Sequence, residues 1–182
     1  MEGLIVKALS GFYYVKTDEG TVECRARGRF RLDGSSPLVG DRVVVSLDAQ
    51  NRGRVDKILP RRNMFIRPAV ANIDALVAVA SVSEPETDPF LIDRVAATAE
   101  RAGCEVIVCI NKADTGDAGK LASIYDGTGY TVIVTSAAKG DGIDGLRRAI
   151  DGKICAFSGN SGVGKSSLLN ALEPSLNLPT GE

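Results

Sequence analysis

The stretch that decides the fold is SGNSGVGKSSLLNAL, residues 158–172. Gly159, Gly164, Lys165 and Ser166 stand at the Gly-x-x-x-x-Gly-Lys-Ser spacing of a phosphate-binding loop. The apolar run KICAF precedes it and the apolar SSLLNAL follows it, so the loop joins a strand to a helix, the context the motif requires. In such a loop the backbone N–H groups of residues 161–166 curl around phosphate oxygens, and the helix N-terminus adds the positive end of its dipole. The expected phosphate-binding set is Gly159, Asn160, Ser161, Gly162, Val163, Gly164, Lys165, Ser166 and Ser167. Lys165 is placed to reach the β- and γ-phosphates, and the hydroxyl of Ser166 to ligate Mg2+.

Working back from the loop, apolar runs alternate with amphipathic ones. DALVAVAS (74–81) has the short apolar character of a buried parallel strand. DPFLIDRVAATAERAG (88–103) follows, with Leu91, Val95, Ala99 and Ala102 on one helical face and a Gly at its end. The alternation continues through EVIVCI (105–110), a weaker helix around AGKLASIY (118–125), YTVIVTS (130–136), a helix with Ile143, Leu146 and Ile150 on one face, KICAFS and KSSLLNAL. Alternating β and α predict a parallel sheet covered by helices on both faces, with ligand loops at the carboxyl ends of its strands.

The first 60 residues read differently. GLIVKAL, FYYVKT, TVECRAR, RVVVSL and GRVDKIL are five strand-like runs separated by turn residues, the pattern of a small closed barrel of the OB-like kind. Gly11 is where the first long run can bend. LPRRNMFIRPAVANI (59–73) holds two prolines and no sustained period, as a connector does. The expected division is a barrel with its connector over residues 1–68 and the α/β domain over 69–182.

Charge divides the chain along the same line. Its net charge is −1, but residues 1–68 carry 13 Lys/Arg against 8 Asp/Glu, a surplus of +5, and residues 69–182 carry 9 against 15, a balance of −6. The two parts therefore face different partners. No apolar run approaches the roughly 20 residues of a membrane span, the best being Ala75–Ala80, and the N-terminus has no signal-peptide pattern. Cys24, Cys104, Cys109 and Cys155 lie in strand-like apolar surroundings with no Cys-x-x-Cys, and there is no His, so reduced core thiols are expected rather than a zinc site. A cytoplasmic monomer without membrane contact is the expectation.

CINKAD places Asn111, Lys112 and Asp114 directly after the strand-like EVIVCI. Asn-Lys-x-Asp resembles the guanine-specificity motif of GTPases. An Asp carboxylate accepts two N–H groups from the Watson–Crick edge of guanine, and adenine presents an acceptor where guanine has its ring N–H, so a buried Asp114 rejects adenine. On that resemblance Asn111 braces loop and base, and the stem of Lys112 packs over the ring. VTSAAKG resembles the Ser-Ala-Lys segment that contacts guanine O6, with the lysine displaced by one residue, which carries over Ser136 and Ala137 but not Lys139. Were NKAD coincidental, the chain would be an ATP-dependent P-loop protein, and nucleotide competition separates the two.

The base loops precede the phosphate loop, a circular permutation of the usual GTPase order. With a five-strand barrel in front, LPRRNMFIRPAVANID next, and NKAD ahead of GNSGVGKSSLLNAL, the chain resembles the bacterial ribosome small subunit-dependent GTPase A family over essentially its whole length. The resemblance implies an N-terminal OB-like β-barrel followed by an α/β P-loop GTPase domain of permuted order. It also implies GTP/GDP with Mg2+ as ligands, and a GTP-hydrolysing assembly factor for the small (30S) ribosomal subunit that binds 16S rRNA. The alternative is a nucleotide-gated RNA-binding module without significant turnover. In CRARGRFR the arginines Arg25, Arg27, Arg29 and Arg31 alternate, so an unbroken strand puts all four on one face, as an RNA-binding surface or simply a solvated one. The family's Asp-x-x-Gly segment, switch residues and zinc-binding C-terminal domain have no counterpart in these residues. The expectation is therefore a C-terminally truncated chain with no catalytic residue within it, its hydrolytic residues beyond Glu182, and zinc only in the missing domain.

Overall fold

A computed structural model describes residues 1–28, 30 and 36–180. The chain divides into two compact units, Met1–Ile73 and Asp74 onward.

In the first unit β1 (Glu2–Leu9), β2 (Phe12–Thr17), β3 (Gly20–Ala26), β4 (Arg42–Leu47) and β5 (Gly53–Ile58) close into a barrel of order β1-β2-β3-β5-β4. Antiparallel pairing of β1 with β4 closes it, and β3 runs parallel to β5. Alternation fills the interior with Ile5, Val15, Cys24, Val43, Val45 and Val55, and Phe30, beyond the end of β3, joins them. The five strands fall where the sequence places them, with one difference. Gly11 does not bend a strand. With Ser10 it forms the turn that separates β1 from β2, both residues at positive φ (50° and 83°), and the irregularity in β1 lies between Ile5 and Lys7 instead.

The connector is more ordered than its lack of period suggests. Met64–Phe65 (β6) pairs antiparallel with Val70–Ala71 (β7). Asp41, fully buried, takes two hydrogen bonds of 2.7 Å from the Arg61 guanidinium and a third, also 2.7 Å, from the Leu38 N–H. Asn63 exchanges two hydrogen bonds with the backbone of Ile73, and Asn72 donates to the Gly40 carbonyl. The Arg61 and Asn72 ties, invisible to a hydropathy pattern, fasten the connector to the barrel.

In the second unit β8 (Ala75–Ser81), β9 (Glu105–Asn111), β10 (Thr131–Val134) and β11 (Cys155–Ser158) form a parallel sheet of order β10-β9-β8-β11. Between and after them run α1 (Pro89–Arg101), α2 (Gly119–Tyr125), α3 (Ile143–Ile150) and α4 (Lys165–Leu172). One face of the sheet packs Val77, Val79, Ile107 and Cys109 against Ile143, Leu146, Leu168 and Leu172 of α3 and α4. Helix α1 packs on β8 and β9 through Ile92, Ala96 and Ala99. Of the expected face Leu91, Val95, Ala99 and Ala102, Ala99 is in that stripe, whereas Leu91, Val95 and Ala102 are only half-buried. The helix starts where the Asp88 side chain caps the Phe90 N–H (2.9 Å), and packing on β8 and β9 turns Ile92 inward.

Cys24, Cys109 and Cys155 are free thiols, and Cys24, Cys104 and Cys109 are buried. Burial pushes the thiols of Cys24, Cys109 and Cys155 up to about 11, so they behave as core residues. Among the described residues no helix is long and apolar enough to cross a membrane.

Candidate nucleotide site

The chain passes from β8 to β9 to β10 in one direction across the sheet and then places β11 on the other side of β8. Crevices outside the carboxyl ends of strands at such a reversal are where open α/β sheets bind ligands. The loop 159–164 leaves β11 there. Gly164 adopts φ 92° as the residue before α4, and a Cβ at this position would collide with the Asn111 side-chain nitrogen. Only glycine suits that backbone and that approach. Lys165 Nζ donates to the carbonyls of Gly159 (2.9 Å) and Asn160 (2.6 Å), which folds it over the loop, and partial burial lowers its pKa below the ordinary lysine value. Ser166 and Ser167 sit half-buried in the first turn of α4.

The base loops are joined to this loop by one side chain. Asn111, the last residue of β9, is buried (2 % exposed). Its Nδ2 donates to the Val163 carbonyl at 3.0 Å, and its Oδ1 accepts the Ala137 N–H at 3.1 Å and the Thr135 hydroxyl at 3.2 Å. Three loops that are far apart in sequence are thereby fixed to one another. Asp114 is exposed rather than buried. Its carboxylate accepts the Ser136 hydroxyl at 2.6 Å, and that bond first, with the charges of Lys139 and Lys112 after it, holds its pKa below the usual carboxylate range. The acceptor is therefore ionised and aimed at neutral pH. Lys112, at φ 63°, donates to the Glu84 carbonyl at 2.6 Å. The structure thus brings Asn111, Lys112, Asp114, Ser136 and Ala137 to the same end of the sheet as residues 159–167.

Two contributors escape a motif reading. Thr135 lies inside the quoted VTSAAKG, yet its role as a buried hydroxyl on Asn111 exists only once β9 and β10 are paired. The loop between β8 and α1 carries no motif at all. It meets the base loop through the Ser83 and Thr115 hydroxyls (2.6 Å) and through Glu84 on Lys112, and a Cβ on Gly162 would lie 3.0 Å from Pro85.

The arginine stripe of the barrel is not one continuous strand face among the described residues. β3 ends at Ala26. Arg25 is exposed and lies over the Phe12 ring, 4.6 Å from its centroid. Arg27, just past the strand, is half-buried and ion-paired to Asp56 at 2.6 Å, so it is committed to the barrel. Arg29 and Arg31 lie outside the described residues.

With this geometry in place, the model of the RsgA GTPase family matches residues 58–182 and that of the RsgA N-terminal domain matches residues 2–55. The small ribosomal subunit biogenesis GTPase RsgA of Caldanaerobacter subterraneus subsp. tengcongensis is 43% identical over 185 residues, and that of Halalkalibacterium halodurans 41% identical over 187 residues. All of this chain is covered in both, against 63% and 64% of the relatives, so the chain spans somewhat under two thirds of their length. The crystal structure of YjeQ from Thermotoga maritima superposes with a TM-score of 0.80 at 38% identity, covering 99% of this chain and 67% of that one. That of YloQ, described as a circularly permuted GTPase, gives 0.74 at 38% identity, covering 96% and 64%.

Proposed function

The chain belongs to the RsgA GTPase family, and from that premise we propose that it binds GTP and GDP at the three-loop site, takes part in Mg2+-dependent GTP hydrolysis, and serves assembly of the small ribosomal subunit by binding 16S rRNA in the cytoplasm. The observation that carries the nucleotide reading is Asn111, which ties the loops at Val163, Thr135 and Ala137 into one site.

Each residue then has a physical task. Asp114 accepts the two N–H groups on the guanine edge, with the Ser136 hydroxyl orienting its carboxylate, and Lys112 flanks the ring with its stem. Residues 159–164 offer backbone N–H groups to the phosphates, and Lys165 exchanges the Gly159 and Asn160 carbonyls for phosphate oxygens, whose charge favours its protonated form. The metal fits the donors present. Among the described residues no three Asp, Glu, His or Cys side chains cluster, whereas Ser166 opens α4 beside the loop. Mg2+ suits such a place because it keeps several waters and binds through substrate phosphates rather than a protein cage. When bound it neutralises phosphate charge.

The test is competition against a fluorescent GDP analogue. GTP should displace it and ATP should not, and Lys165→Ala should weaken GTP more than GDP. Equal displacement by ATP would overturn the guanine reading.

A further inference from the structure

The loop between β8 and α1, residues 82–88, holds Lys112 at both ends. Lys112 sits at φ 63°, a left-handed conformation that a residue with a side chain keeps only where its surroundings hold it. Its carbonyl accepts the Thr115 N–H at 2.9 Å and the Thr115 hydroxyl at 2.8 Å, which closes the turn that carries Asp114. Because the proton of that hydroxyl goes to the carbonyl, its oxygen accepts from the Ser83 hydroxyl, 2.6 Å away in the loop. At the other end the Lys112 ammonium donates to the Glu84 carbonyl at 2.6 Å. The Lys112 stem is thereby stretched between two supports that come from consecutive residues, Ser83 and Glu84.

The loop is itself braced. Buried Thr87 closes its base, with its hydroxyl accepting the Ser81 N–H at 2.9 Å and its own N–H donating to the Ser81 carbonyl at 3.0 Å. The Ser81 hydroxyl donates to the Ser83 carbonyl at 2.5 Å and accepts the Ser83 N–H at 3.3 Å, which fixes Ser83 against the end of β8. Val82 backs the base loop at Gly116, where a Cβ would stand 3.2 Å from the valine methyl. Ser83 therefore leaves the sheet in one direction, towards Thr115.

We propose that Ser83 and Thr115 are positioning residues for base recognition, whose hydroxyl relay sets the Lys112 stem beside the guanine ring before nucleotide arrives. The proposal rests on the guanine reading above and extends it to residues outside the Asn-Lys-x-Asp spacing. A long flexible side chain that is fixed beforehand loses less rotamer freedom when a ring packs on it, and that saving appears as affinity. The relay acts through Lys112, so its effect should vanish when the stem is gone.

The measurement is GDP affinity by calorimetric titration. Thr115→Val keeps the shape of the side chain and removes its hydroxyl, and Ser83→Ala removes the donor behind it. Each should lower GDP affinity roughly fivefold, the effect of one ordinary hydrogen bond. The double substitution should cost no more than Thr115→Val alone, because the two hydroxyls form one relay. Thr115→Ser should restore wild-type affinity. In a Lys112→Ala background Thr115→Val should change nothing further, whereas a hydroxyl that only steadies the surface would cost the same factor in either background. Wild-type affinity in both hydroxyl variants, or the same loss without the Lys112 stem, overturns the positioning role and leaves the guanine reading standing. Equal displacement of GDP by ATP in the unsubstituted chain overturns both.

Discussion

At the scale of single residues, the proposed guanine selectivity rests on one carboxylate and its partner. Asp114 receives the Ser136 hydroxyl on one oxygen, which orients the exposed carboxylate and lowers its pKa further. Replacing it with Asn presents an amide donor to guanine's N–H groups. Asp114→Asn should cost on the order of 2–4 kcal/mol in GDP binding. Xanthosine diphosphate, with an oxygen where guanine has its amino group, should bind the variant better than the wild type. Calorimetric titration of both nucleotides checks this, and an unchanged preference for GDP would remove Asp114 from base recognition.

At the scale of elements, the decisive junction is the turn from loop 159–164 into α4. Gly164 combines a left-handed φ with contact against an Asn111 side chain that is itself held at both ends. Gly164→Ala therefore meets two costs at once. The left-handed backbone alone costs a non-glycine residue about 1–2 kcal/mol, and the methyl pushes Asn111 from the carbonyl and amide it bridges. GDP affinity should fall by more than roughly tenfold, the equivalent of about 1.4 kcal/mol, with far-UV circular dichroism unchanged. Wild-type affinity would mean that Asn111 is not what holds the loops together. Much of this element was legible in the sequence. The glycine spacing and the flanking apolar runs identify strand, loop and helix, but they say nothing of which upstream side chain the loop leans on.

At the scale of the whole molecule, each unit has its own core, and the barrel's connector is fastened by a buried ion pair rather than by apolar packing. Asp41 is fully buried and accepts three hydrogen bonds, while Arg61 is mostly covered and also reaches the Ser36 carbonyl at 2.8 Å. Removing one partner strands the other charge. Asp41→Ala should destabilise the barrel by on the order of 3–5 kcal/mol. Arg52→Ala, which breaks the exposed pair with Asp48 and leaves the turn's bonds to the Asp48 carboxylate, should cost about 1 kcal/mol or less. Urea unfolding of the two variants compares them directly, and similar midpoints would show that the Asp41 pair is not structural.

The sequence by itself determined the elements and their order. Five period-2 runs specify a barrel because alternate residues must face one interior, and Ile5, Val15, Cys24, Val43 and Val55 do so. The run Ala75–Ser81 reads as a buried strand because both faces of a parallel sheet are covered, and every residue of it is buried. Gly159, Gly164, Lys165 and Ser166 stand at the spacing of the proposed phosphate loop because backbone freedom, charge and hydroxyl are needed at fixed positions. Tertiary structure decided what has no local signature. It put β11 beside β8, which brings Val163 to Asn111 across 52 positions of sequence. It gave Arg27 to Asp56 and left Arg25 to Phe12, although the two arginines look alike in the chain. It recruited Thr135, Ser83 and Glu84 to the site. Periodicity and motif spacing record what a residue does with its neighbours along the chain, whereas these contacts depend on which strands pair and which loops then meet.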